Sequence, residues 1–333
     1  MIDITPKEFN ENITYQAYDM NNVYKCDTTS ILSTIEQIRQ SNKNDRCLIQ
    51  IPNTNGLTHE IINQLPDNVD VRIVGGYTEE YAKSVKNPNM NYLREKATYS
   101  KDELNSIVSK IEDIESHIDP NWNQYEKALY LYEYMKNDIV YREPQHANDI
   151  GSTWQRTRTW DTLIGMTNQL STCNGYSHIY SELCNRQGIE CHQVAGNGGN
   201  HAWNIVTIDN KNFIVDIIWD SIDIEKGVDH TTHFGSDDTT KHRPSCYIEQ
   251  HQKLSTISQE WIKQAKDKVS AHIPKEKIVQ EKLDNYLKSR DQDRKRMLEL
   301  REKMVQQKQQ EHMLQAMSEQ EINNSKSYGG RSL

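Results

Sequence analysis

At Gly188 the apolar pattern of this 333-residue chain changes period. Before it, Tyr176, Ile179, Tyr180 and Leu183 recur at steps of three and four, the spacing of one helix face. After it, CHQVAG (191–196) leads through the loop NGGN (197–200) into HAWNIVTI (201–208). A turn near Asp209-Asn210 then precedes NFIVDIIWD (212–220). These are strand-length runs divided by turn residues. A helix followed by strands with short connections predicts an antiparallel sheet with the helix packed ahead of it, an α+β arrangement.

The flanking regions carry their own patterns. SKDELNSIVSKIEDIESHI (100–118) opens with Ser100 followed by Glu103, a capping-box pair, and keeps helical spacing. A second helix over 122–138 aligns Tyr125, Leu129, Tyr132 and Met135, and residues 144–170 are polar and irregular, with Trp154 and Trp160. Residues 1–92 read as a small α/β region. CLIQIPN (47–53) and VDVRIVGG (69–76) are its strands, THEIINQL (58–65) and TEEYAKSVK (78–86) its helices, and KNPNMN (86–91) marks its end. Residues 251–333 read as a charged helical tail with a disordered end; apolar residues at 297, 300 and 304 supply one heptad step, too little for a coiled coil. The expected organisation is 1–92, a central domain over 97–250, and the tail 251–333.

Composition removes several function classes. No apolar run of 18 or more residues is present, so no transmembrane helix is expected. The first residues lack the basic-then-apolar order of a secretory signal, so the expected location is the cytoplasm, with leaderless export leaving no trace in sequence. The charge balance is −14 over residues 1–250 and +5 over 251–333, which together make the net −9. An acidic body argues against nucleic acid as a partner, because that affinity rests on clustered cations. The tail's interspersed signs read as a solvated helix face on which a partner or a second copy could dock. Six cysteines without a CxxC pair predict reduced thiols rather than a zinc module. Cys184, Cys191 and His192, and separately His230, His233 and His242, fit no standard metal spacing, and neither a metal nor another cofactor is expected.

Three residues combine into a chemistry. Cys173 starts the predicted helix, where unpaired N–H groups and the positive dipole end favour a thiolate, the nucleophile of acyl transfer. His201 and Asp216 flank the predicted hairpin. If Asp209 and Asn210 form a two-residue loop, His201 faces Ile218 and Asp216 lies one diagonal step away on the same face, within reach of an imidazole. Cys173 would then attack a carbonyl, His201 take and return the proton, and Asp216 orient the ring. The Cys173 backbone N–H and a donor from Gln169 or Trp160 would form the oxyanion hole. Trp203 and Trp219 read as sheet packing, and His178, off the apolar stripe, as solvated.

The blocks STCNGYSHIYSELCNRQGIECHQVAG (171–196), NHAWNIV (200–206) and FIVDIIWD (213–220) resemble the three motifs of the transglutaminase-like superfamily: C-x-G-Y/F, H-x-W-N, and D ahead of W-D. YEKALYLYEYMKNDIVY (125–141) resembles the segment that precedes the cysteine in bacterial members, and the likeness extends over roughly residues 97–247. It implies a papain-like core with a triad at Cys173, His201 and Asp216. Ser171 departs from the glycine often found two residues before the cysteine. The implied function is acyl transfer on protein or peptide substrates through a Cys173 thioester, as in a transglutaminase or deamidase. The alternatives are a cysteine protease of the same fold, or a catalytically silent scaffold whose N-terminal region and tail bind a partner.

Overall fold

The computed structural model describes residues 22–41, 45–73, 98–141, 162–196, 201–225, 228–244 and 252–274. All of them lie in the compact unit Met1–Lys275. The expected helix at 78–86, the boundary at 86–91, the loop 197–200, Trp154, Trp160 and the tail beyond 274 fall outside the described residues.

The N-terminal part runs β1 (Val23–Lys25), α1 (Ile31–Gln40), β2 (Cys47–Ile51), α2 (His59–Asn63) and β3 (Val69–Ile73). β1, β2 and β3 are parallel, with Cys47 opposite Val69 and Val23 opposite Leu48. Buried Cys47, Leu48, Ile49 and Ile51 explain the unalternating strand at 47–51, since parallel strands are covered on both faces. Strand β4 (Thr98–Tyr99) joins this sheet antiparallel to β3, and the Tyr99 hydroxyl accepts the Leu163 N–H at 3.2 Å.

Two long helices follow. α3 (Lys101–Ser116) has the capping box its sequence announces, with the Ser100 N–H donating to Glu103 and the Glu103 N–H to the Ser100 hydroxyl. α4 (Gln124–Asp138) is capped in the same way by Asn123 and Glu126. It is buried all round from Ala128 to Lys136, well beyond the single apolar face expected. The charged pair within it, Glu133 and Lys136, is buried at 2.8 Å. β5 (Val140–Tyr141), α5 (Ile164–Asn168) and β6 (Leu170–Ser171) lead to α6 (Cys173–Arg186).

The period change at Gly188 is structural. α6 gives way to β7 (Glu190–Gly196), β8 (His201–Ile208) and β9 (Lys211–Val215), then α7 (Ile217–Glu225), β10 (Phe234–Ser236) and α8 (Gln259–Ser270). The sheet order is β10-β9-β8-β7, antiparallel throughout, and α6 packs against β7, β8 and α4. Asp209 and Asn210, with φ of 51° and 58°, form the two-residue hairpin loop, which pairs Ile208 with Lys211 and Asn204 with Val215. The run 212–220 is not one strand, however: pairing stops at Val215 and a helix starts at Ile217. The cause is local, because the Asp216 carboxylate accepts the Ile218 N–H at 3.2 Å and turns the chain out of the sheet.

Residues 252–274, which read as the start of the tail, are seated on the core. Ile262, Ala265 and Val269 are buried on one face of α8, which packs on α4, and Trp261 meets Tyr125 edge-on at 5.9 Å. One apolar cluster extends from Ile31 to Val269. No helix of the described residues is long and apolar enough to cross a membrane.

Candidate active site

Three elements converge on one end of the sheet. Cys173 is the first residue of α6, and its N-cap, Thr172, makes no side-chain cap bond. His201 is the first residue of β8, paired with Gly196 of β7. Asp216 sits in the break between β9 and α7. Its N–H donates to the His233 carbonyl at 2.9 Å, and it is almost wholly buried. The loop carrying His233 is itself anchored from below: Lys136 Nζ donates to Asp229 Oδ1 and the His230 carbonyl, each at 2.9 Å, and to Thr231 Oγ1 at 3.3 Å.

His201 Nε2 meets Asp216 Oδ2 at 2.7 Å, and the Cys173 side chain acts electrostatically on the same ring. Burial alone would disfavour the charged ring. The interactions with Asp216 and Cys173 together outweigh that penalty and push the His201 pKa up to about 10. For Asp216, burial alone would raise the carboxyl, but hydrogen bonds from His201 and then His242 hold it well below the usual carboxylate range.

His242 is the residue that sequence reasoning missed. Its Nε2 lies 2.9 Å from Asp216 Oδ2, the oxygen that His201 also uses, and its side chain is 1% exposed. It arrives from a loop 26 residues beyond Asp216, so no local spacing announces it. Two tryptophans enclose the histidines. The Trp219 ring lies parallel to His201 at 5.7 Å and tilted over His242 at 4.8 Å, while Trp203 meets His242 edge-on at 5.1 Å. Trp203 packs the sheet as expected, in a buried cluster with Val194, Ile205 and Ile214, and both indoles also cover the histidines. Gly196 makes room for this packing: a Cβ there would stand 2.1 Å from the Arg243 carbonyl oxygen and 2.3 Å from the Trp203 ring.

Of the expected oxyanion donors, Trp160 lies outside the described residues. The Gln169 side-chain amide donates to Asp138 Oδ1 at 2.5 Å, and its backbone, at φ 53°, closes α5 in the left-handed conformation. His178, expected to be solvated, is buried at 6% exposure because α6 is covered on nearly every side.

Among the described residues the one group of three metal-capable donors is His201, Asp216 and His242. Zinc bonds of about 2.0–2.1 Å in tetrahedral geometry would separate two such ligands by roughly 3.3 Å. The contacts here, 2.7 and 2.9 Å, are those of protons shared in hydrogen bonds.

A helix-start cysteine near a histidine that a buried aspartate holds at the end of a sheet is an arrangement of side chains that a papain-like fold brings together. Residues 113–217 match the model of the transglutaminase-like superfamily, and this stretch of the chain is a transglutaminase-like domain. The matched segment contains Cys173, His201 and Asp216 and ends before His242. No curated protein matches the chain.

Proposed function

We infer that this protein is a cysteine acyltransferase acting on protein or peptide substrates, of the transglutaminase or deamidase type. The supporting observation is the surroundings of one histidine: His201 holds Asp216 at 2.7 Å through Nε2, and the helix-start Cys173 acts on the same ring. Because Nε2 faces Asp216, Nδ1 is the nitrogen available to the thiol. In the reaction, Cys173 Sγ attacks a carboxamide carbon and a Sγ–C bond forms. The developing oxyanion is met by the Cys173 backbone N–H at the positive end of α6. His201 passes its proton to the departing nitrogen, the C–N bond breaks, and ammonia leaves a thioester. An amine or a water molecule then attacks, giving its proton to His201. The C–Sγ bond breaks and the thiol–imidazole pair is restored. An amine yields a cross-link; water yields deamidation, or proteolysis where the bond attacked is a peptide bond.

The test is to incubate the protein with an unfolded, glutamine-containing protein and a biotinylated primary amine, then read the products by mass spectrometry. Amine incorporation or glutamine-to-glutamate conversion, absent in Cys173→Ala, is the expected result. Chain cleavage without either would replace acyl transfer by proteolysis. Products that persist in Cys173→Ala would remove Cys173 from the chemistry.

A further inference from the structure

We propose that His242 is a fourth, positively charged member of the site: a buried imidazolium that positions Asp216 and balances its charge, so that Cys173, His201, Asp216 and His242 alternate in sign. The proposal rests on the acyl-transfer reading above and adds a residue outside the matched segment.

Hydrogen-bond accounting carries it. His242 Nε2 faces Asp216 Oδ2 at 2.9 Å and its Nδ1 faces the Asp238 backbone carbonyl at 3.2 Å. A carbonyl only accepts, and so does an ionised carboxylate. Asp216 is held ionised by its neighbours and takes the Ile218 N–H on its other oxygen. Both His242 nitrogens therefore carry protons, and the ring is a cation. The surroundings suit a cation: Trp219 spreads a π face at 4.8 Å, tilted by 33°. The other titratable or charged groups facing it are His201 at 6.3 Å between ring centroids, His233 at 6.4 Å, and the adjacent Lys241, Arg243 and Asp238. Burial holds the His233 pKa below its ordinary value, although Asp220 and Asp216 oppose it.

Charge counting shows the consequence. A thiolate, an imidazolium and a carboxylate sealed together leave one uncompensated negative charge, which is costly to bury. The His242 cation cancels it. A fixed positive charge also makes both nearby protons easier to lose, the one on Cys173 and the one on His201. The pH window in which Cys173 is ionised and His201 still protonated therefore sits lower than it would beside a neutral side chain.

Alkylation of Cys173, followed by mass spectrometry between about pH 4 and pH 12, reads both edges of that window. His242→Gln keeps an N–H donor for Asp216 and removes the charge. Both edges should move upward together, by on the order of one pH unit given a charge about 6 Å away. Unmoved edges would overturn the proposal. Edges that close toward each other would also overturn it, since that is the signature of a loosened Asp216 rather than of a lost charge. His201→Ala is run beside it: labelling indifferent to that change would sink the acyl-transfer reading itself. Should His242→Gln fail to fold, nitrogen NMR of the unaltered protein decides the matter. Two protonated His242 ring nitrogens at neutral pH support the proposal, and a single neutral tautomer refutes it.

Discussion

His201 has a hydrogen-bond partner in Asp216, whereas His178 Nε2 has none among the described residues. The two buried rings consequently shift in opposite directions. His201 is raised from an ordinary 6.5 to about 10, so its contribution to stability is complete below pH 6.5 and is lost as pH rises toward 10. Urea midpoints should fall across that interval, and His201→Gln should flatten the fall; an identical slope in both proteins would count against the ion pair. His178 is lowered by burial to about 4. It stays neutral in the fold while the unfolded chain takes up a proton below 6.5, so stability drops as pH falls from 6.5 to 4. The loss at the acid end is about 3 kcal/mol. His178→Phe, similar in size and without a titrating group, should be markedly less acid-sensitive in the same titration.

At the scale of elements, the ends of strands decide what the site contains. β8 begins with His201 and pairs there with Gly196, the last residue of β7. Gly196 in turn touches the segment that brings in His242, through a bridge to Pro244. A methyl group at position 196 would stand 2.1 Å from the Arg243 carbonyl oxygen, a backbone atom that cannot step aside without moving its neighbours. Gly196→Ala should therefore cost about 1–3 kcal/mol through overpacking and carry His242 away from Asp216. The Cys173 labelling window of this variant should change relative to the unaltered protein. An unaltered window together with a stability loss would mean that the crossing segment tolerates displacement without releasing His242.

For the molecule as a whole, the N-terminal sheet and the thiol-bearing helix share one interior. The Glu182 carboxylate on α6, buried, accepts both the N–H and the hydroxyl of Thr54, which follows β2. Arg186 makes a two-armed contact with Glu115 of α3 at 2.8 Å and also donates to the Thr54 carbonyl at 2.9 Å. Burial raises the Glu182 pKa despite the bonds from Thr54, which oppose it. Thr54→Val removes one donor from a group that remains buried, so a loss of about 1–3 kcal/mol is expected. Because the apolar cluster is continuous from Ile31 to Val269, the variant should still unfold in a single step, seen as coincident fluorescence and circular-dichroism transitions. Two separated transitions would show that the N-terminal sheet melts on its own. The same continuity sets where the tail can be cut: a chain ending at residue 250 loses buried Ile262, Ala265 and Val269, whereas one ending at Lys275 retains them.

Local rules made much of this legible in the amino-acid order. Helix starts at Lys101 and Cys173, and the turn at Asp209-Asn210 with its pairing, follow from capping, periodicity and turn chemistry, each acting within a few residues. Cys173 at the start of a helix and His201 at the start of a strand belong to that class. Other features escape those rules, most of them because they depend on contacts between distant parts of the chain. The helix that replaces strand after Val215 follows from Asp216 bonding Ile218, a choice its apolar neighbours do not reveal. His178 is off the apolar stripe of α6, yet it is buried because the whole helix is surrounded. Gln169 finds Asp138, 31 residues away, and α8 rests on α4 from more than a hundred residues downstream. His242 is the sharpest case. A side chain 26 residues past Asp216 reaches its carboxylate only because Gly196 admits the crossing chain and two indoles enclose the ring. Periodicity specifies which face of an element is apolar; which charges meet inside is decided when the elements close on one another.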